Sequence, residues 1–166
     1  MIYIKRVCVC LLMLSVVMLT ACIGGIACEH YQEVPATGMD RRDTLMLCND
    51  TIGETGIYNT VISVRTDDTY PYTNISLGVE QKVFPAKAAE GDSIIREPWR
   101  RYRTLECSVV GDNGKRAGSG IIYKVSEMQA FVDTLYSGDS VVVRVFHNMR
   151  RETMPGITHI GVKISE

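Results

Sequence analysis

The sequence predicts an all-β protein: an antiparallel β-sandwich, immunoglobulin-like or jelly-roll-like, preceded by a signal helix and a flexible tether. Three observations predict it. Apolar residues recur at every second position in run after run, turn-forming clusters separate the runs, and nowhere do strands alternate with helices as βαβ units require. Tyr58, Thr60, Ile62 and Val64 alternate with Asn59, Val61, Ser63 and Arg65, which gives a strand one face to bury and one to wet. Ile75, Leu77 and Val79 point inward in the next run, with Asn74, Ser76 and Glu80 outward. Leu105, Cys107 and Val109 alternate with Glu106 and Ser108, and Ile121, Tyr123 and Val125 form a further run with Lys124 outward. Val141 to Phe146 is apolar on both faces except at Arg144, as expected of a central strand covered on both sides. Ile160, Val162 and Ile164 close the chain, and Met46 to Cys48 add an edge strand. Turns fall at Asp67-Asp68 with Pro71, Gly91-Asp92, Gly111 to Gly114, Ser137-Gly138-Asp139 and Pro155-Gly156. A helical pattern is found only over Glu127 to Leu135, too short for more than a connecting turn or two.

At 166 residues, 46% hydrophobic and 22% charged, the chain has the composition of one globular domain. A net charge of −1, with no stretch that concentrates basic residues enough to track phosphates, argues against a nucleic-acid partner. The first residues are different in kind. Lys5 and Arg6 precede an uncharged apolar run from Val7 to Leu19. Thirteen residues at helical rise reach only ~20 Å, short of a ~30 Å hydrocarbon core, so the run reads as an export signal rather than a spanning helix. Leu19-Thr20-Ala21-Cys22 resembles the lipobox of bacterial lipoproteins, which is cut just before its cysteine. The resemblance implies a diacylglycerol thioether on Cys22, a covalent lipid and no other cofactor, with the bilayer as partner through the acyl anchor. The expected division is residues 1–21 signal peptide, 22–42 lipidated tether rich in Gly and Pro, and 43–166 sandwich domain. Loss of the signal leaves 16 basic against 19 acidic residues, a charge of −3, so the lipid must do the anchoring.

Of six cysteines, Cys8 and Cys10 leave with the signal and Cys22 carries the lipid. Among the remaining three, Cys28–Cys48 is the pairing expected if a bridge exists, and Cys107 reads as an inert core thiol. The spacing of the cysteines does not suggest zinc. No catalytic signature is found: neither G-x-S-x-G nor H-E-x-x-H occurs, and His30, His147 and His159 have no nucleophile or carboxylate partner that sequence can name. His147 and His159 are expected to make structural hydrogen bonds at the surface or a strand edge. The cluster suggestive of a ligand is Trp99 with Arg100, Arg101 and Arg103, which suits stacking on a sugar or holding an anion. The simpler reading is a core-anchoring Trp with arginines guarding an edge strand. Gly118-Ser119-Gly120 lacks the Lys and helix of a phosphate loop.

Two segments carry a family resemblance. One is the strand ending in Val64-Arg65, followed by Tyr70-Pro71-Tyr72-Thr73-Asn74. The other is His147-Asn148-Met149-Arg150, then Gly156-Ile157 and a strand through Gly161. With the lipobox, these resemble the gliding motility lipoprotein family GldH. Where that family carries Gly-x-Trp-x-Gly, this chain has Lys115 to Gly120 without Trp. Physically, the motif residues read as scaffold: Pro71 presets a turn, Tyr70 and Tyr72 cover it, and Arg65 and Arg150 suit strand-end hydrogen bonds. The resemblance implies a non-catalytic accessory of the gliding and type IX secretion machinery, anchored to the outer membrane and partnered by other envelope lipoproteins or secretion subunits. A glycan-binding surface lipoprotein is the alternative. The neutral stretch Ile23 to Ala27 after Cys22 favours the periplasmic face, because surface-exported lipoproteins of such bacteria tend to carry an acidic run there. Asp-Ser/Thr-aliphatic tripeptides at Asp43, Asp50, Asp92, Asp133 and Asp139 are similar to the O-glycosylation sequon of such bacteria; they are equally simple turn caps.

Overall fold

The computed structural model describes residues 25–86, 96–110 and 124–166. They form ten strands and, among the described residues, no helix. The long strands are β1 (Ile26–Glu33), β3 (Leu45–Thr51), β4 (Gly56–Thr66), β5 (Asn74–Phe84), β6 (Trp99–Ser108), β7 (Lys124–Leu135), β8 (Ser140–His147) and β10 (Ile157–Ser165); β2 (Met39–Asp40) and β9 (Thr153–Met154) form a two-residue ladder. One sheet has the order β1-β10-β4-β7 and the other β3-β8-β5-β6.

The pairing is nested. β5 pairs with β6, β4 with β7, β3 with β8 and β1 with β10, every ladder antiparallel. The chain is thus one long hairpin folded over on itself, and closing the fold adds the β10–β4 and β5–β8 ladders. Eight strands in two sheets connected this way make a jelly roll, one of the two architectures that alternation alone left open.

The inward sets expected from period 2 meet in the core. Ile62, Val64, Ile75, Leu77, Val79, Val141, Val143, Val145, Ile160, Val162 and Ile164 are all buried. Each such side chain contributes about 1.5–3 kcal/mol of hydrophobic stabilisation before chain entropy is counted. β8 is interior to its sheet and buried on both faces over Val141–Val143, as its continuous apolar run requires. β3 is the expected edge strand.

Two expectations are corrected. The tether does not extend to residue 42: β1 occupies Ile26–Glu33 and pairs with β10 along its length, so the folded body begins at residue 26 rather than 43. On this edge strand only Cys28 is buried, so no inward alternation marks it in sequence. The helical pattern at Glu127 to Leu135 belongs instead to β7. The β4–β7 register shifts between Thr60 and Val61, and Ala130 and Phe131 are both buried there. A bulge changes the phase of alternation, and the resulting spacing of Met128, Phe131 and Leu135 imitates a helical turn. Ile121, Tyr123 and the turns at Gly91 and Gly111 lie outside the described residues, as do the signal peptide, Leu19, Thr20, Ala21 and Cys22.

Candidate functional site

The motif segments, far apart in sequence, meet at one end of the sandwich. In the β4–β5 connection the Asp67 carboxylate accepts from the Thr69 N–H at 2.8 Å and from its hydroxyl at 2.6 Å, which closes the turn. Tyr70 is buried, donates its hydroxyl to the main-chain carbonyl of Asn74 at 2.8 Å and lies edge-on to Tyr72 at 6.0 Å. Burial pushes its phenol well above the usual range. Gly156 backs this turn at φ 77°, where a Cβ would drive into the main chain of Tyr70; its carbonyl accepts from the Asp67 N–H at 2.9 Å. Ile157 is buried beside it.

His147, expected at the surface or a strand edge, is fully buried at the end of β8 and makes two hydrogen bonds. Nε2 lies 3.2 Å from the Glu152 carbonyl and Nδ1 accepts from the Met149 N–H at 3.3 Å, which fixes a neutral ring protonated on Nε2. Burial, the largest cause, holds its pKa below the ordinary value. Met149 reaches back so that its sulfur lies 3.4 Å from the Ser76 N–H. Pro71, Tyr72 and Arg150 are exposed at this end. The Arg65 carbonyl accepts from the Thr158 hydroxyl at 3.2 Å. Gly161 stands apart, in mid-β10, where the absent side chain makes room for the ring of Tyr31 on β1.

The Trp99 cluster lies on β6, an edge strand, and its arginines divide by strand parity. Arg101 and Arg103 share the inward face with Leu105 and reach across to β7: Arg101 pairs with Asp133, and Arg103 donates to the Ala130 carbonyl at 2.9 Å. Arg101 also lies over the Trp99 ring, 5.4 Å from its centre. Trp99 itself is half-buried against the core. This geometry is the anchoring arrangement; the arginines that could have embraced a ligand hold two sheet edges together. Behind them, Gln81 accepts from the Thr60 hydroxyl at 2.8 Å and donates to Asp133 at 3.0 Å. Burial raises the Asp133 pKa despite its arginine and amide partners. Gln81 could have been found by extending the β5 alternation, which puts a polar residue in the inward phase.

Arg100 points the other way, to a face the sequence reading did not single out. Glu80 lies between Lys82 at 3.6 Å, Arg144 at 3.6 Å and Arg100 at 3.9 Å. Tyr102, Glu80, Arg144 and Met46 form one row across all four strands of the second sheet. Tyr102 stacks on Phe146, with centroids 6.1 Å apart, and is 57% exposed; Met46 is 55% exposed. This face interleaves aromatic and thioether surface with three cations around one carboxylate.

At the opposite end from the motifs, Asp139 is buried in the β7–β8 turn. Although burial raises its pKa, a two-pronged bond from Arg96 (2.6 and 2.8 Å) and N–H groups of Tyr136 and Ala86 hold it below the usual range. Sequence gave no sign of the Arg96 partner, which is 43 positions away. Asp133 and Asp139 of the Asp-Ser/Thr tripeptides are therefore structural, whereas at Asp43-Thr44 and Asp50-Thr51 acid and hydroxyl residue are both exposed. Cys28 and Cys48 are buried and adjacent, and Cys107 is half-buried rather than enclosed. A groove of about 260 Å³ runs beside Cys48 and Asp50, smaller than the pockets that enclose drug-sized ligands.

Among solved structures the chain is similar to a carbohydrate binding module of Cellvibrio mixtus lichenase 5A in complex with cellotriose, at 12% identity and TM-score 0.35 over 86% of this chain and 89% of that one. It is also similar to murine APRIL at pH 5.0, at 16% identity and TM-score 0.31 over 82% and 97%. Scores this low say nothing of function. No curated protein matches the sequence. The family model described as GldH lipoprotein matches residues 27–164, which runs from β1 to β10 and takes in both motif segments but not the lipobox; the chain belongs to the GldH lipoprotein family.

Proposed function

We propose that the protein is a non-catalytic, lipid-anchored docking subunit of the outer-membrane gliding and type IX secretion machinery, held on the periplasmic face by an acyl chain at Cys22. What carries the reading is the family match together with the use of the polar residues. His147, Asp133, Asp139, Arg101 and Arg103 are bound to structural partners, whereas the described face around Glu80 exposes Tyr102 and Met46 beside its cations.

The start of β1 at residue 26 adds a spatial argument. Four residues from Cys22 reach about 14 Å when extended, against roughly 70 Å for a tether ending at residue 42. The end of the sandwich bearing the β1 start and the β7–β8 turn then lies against the bilayer, and the motif end faces away.

Crosslinking and co-purification from solubilised outer membranes test the reading. Wild-type protein should recover envelope proteins, and Tyr102→Ala combined with Met46→Ala, both on exposed side chains, should lower that recovery severalfold while cooperative melting is retained. Recovery of polysaccharide alone, or equal recovery by the variant, would overturn it. Cys22→Ala should move the protein to the soluble fraction.

A further inference from the structure

Cys28 lies on β1 and Cys48 on β3, the strands at the same edge of the two sheets. Their sulfurs and an Asp50 carboxylate oxygen all lie within 4.8 Å of one another. At the other edge, the Arg101–Asp133 pair and the Arg103–Ala130 bond already join β6 to β7. We propose that Cys28 and Cys48 form a disulfide that staples the sheets along the β1–β3 edge, made by exchange with a disulfide donor outside the cytoplasm. The proposal rests on the export included in the reading above.

The chemistry at the pair suits exchange. Cys48, unlike Cys28, lines the groove beside Met46 and Asp50, the side from which a donor disulfide would approach. The hydrogen bond from Cys28 is the largest cause lowering the Cys48 pKa, and the same bond raises that of Cys28. On the groove side, Cys48 serves as the attacking thiol and Cys28 as the resolving one. The Cys48 sulfur attacks one sulfur of the donor disulfide, forming a mixed disulfide and expelling one donor thiolate. Cys28, losing its proton to solvent through the neighbouring carboxylate, attacks the Cys48 sulfur and expels the second. Two protein thiols are oxidised, one donor disulfide is reduced to two thiols, and the two protons end on the donor. Cys107, on β6 at the far edge of its sheet, stays a thiol.

Closing a loop of this length is expected to shift the folding equilibrium by roughly two hundredfold, or about 10 °C in melting temperature. The test uses the protein extracted from envelopes in detergent, alkylated at once, with peptide mapping. A native 28–48 linkage with Cys107 alkylated is the expected result. A reduced sample, re-equilibrated with oxidised glutathione, should regain the linkage and the higher melting temperature; Cys28→Ala with Cys48→Ala should show no redox dependence, and Cys107→Ser should keep it. Failure of the glutathione arm overturns the proposal, as does native protein in the membrane fraction with both thiols free or with stoichiometric zinc. Native protein found reduced in the cytosol, with the glutathione arm successful, overturns the export reading and leaves the bridge chemistry supported.

Discussion

Gly156 and His147 show how single residues fix the motif end. Gly156 has positive φ and is pressed against the Tyr70 main chain, so any side chain meets both backbone strain and a steric clash. Gly156→Ala should cost about 3 kcal/mol, read as a lower urea midpoint at unchanged slope. His147 is held neutral by burial, so its folded-state pKa lies below that of the unfolded chain. As pH falls, the unfolded chain takes up the proton first. Its contribution is complete above the ordinary histidine value of about 6.5 and drains away as pH drops toward the folded pKa. Denaturation at pH 7.5 and 5.5 should show wild type losing more stability than His147→Gln over that window. The motif Gly and His were legible as residues; that Gly156 presses on Tyr70 and His147 meets the Glu152 carbonyl was not, because the first contact joins distant segments and the second depends on how the loop after β8 turns back.

Elements were legible in proportion to how one-sided their burial is. β4, β5 and, from Ile160 on, β10 bury alternating sets, with Ser63, Gly78 and Gly161 also buried between them, and period 2 found them. β1 buries a single apolar side chain and β7 changes phase at a bulge, so neither presents the pattern of a strand. The β7–β8 hairpin depends on one carboxylate. Asp139 receives Arg96 and two main-chain N–H groups in a buried turn, so Asp139→Asn should destabilise the fold by about 3 kcal/mol. Hydrogen exchange should locate the loss at the Tyr136 and Ala86 amides; an unchanged exchange pattern there would refute this role. The Trp99 cluster shows the same limit from the other side: sequence supplied the residue types, and strand parity decided that Arg101 and Arg103 turn inward and Arg100 outward.

Across the whole molecule, nested pairing makes nearly every ladder non-local, and it also decides where the chain's single Trp, Trp99, sits: at the end where β1 begins. In vesicles carrying a headgroup acceptor dye, Trp99 of the lipidated protein should transfer energy strongly. A flexible spacer of 20 residues inserted after Cys22 adds about 25 Å of r.m.s. reach and should weaken the transfer; no change would refute the short tether. By itself the sequence determined the strand-rich class, the inward residues of the regular strands, the turns at Asp67, Gly138 and Gly156 and the family, because these follow from local periodicity and local chemistry. Only the tertiary structure decided the jelly-roll order, the place of β1, the roles of the arginines and the meeting of Cys28 with Cys48. Each of these depends on which distant strand lies alongside, and side-chain period carries no information about the identity of the neighbour.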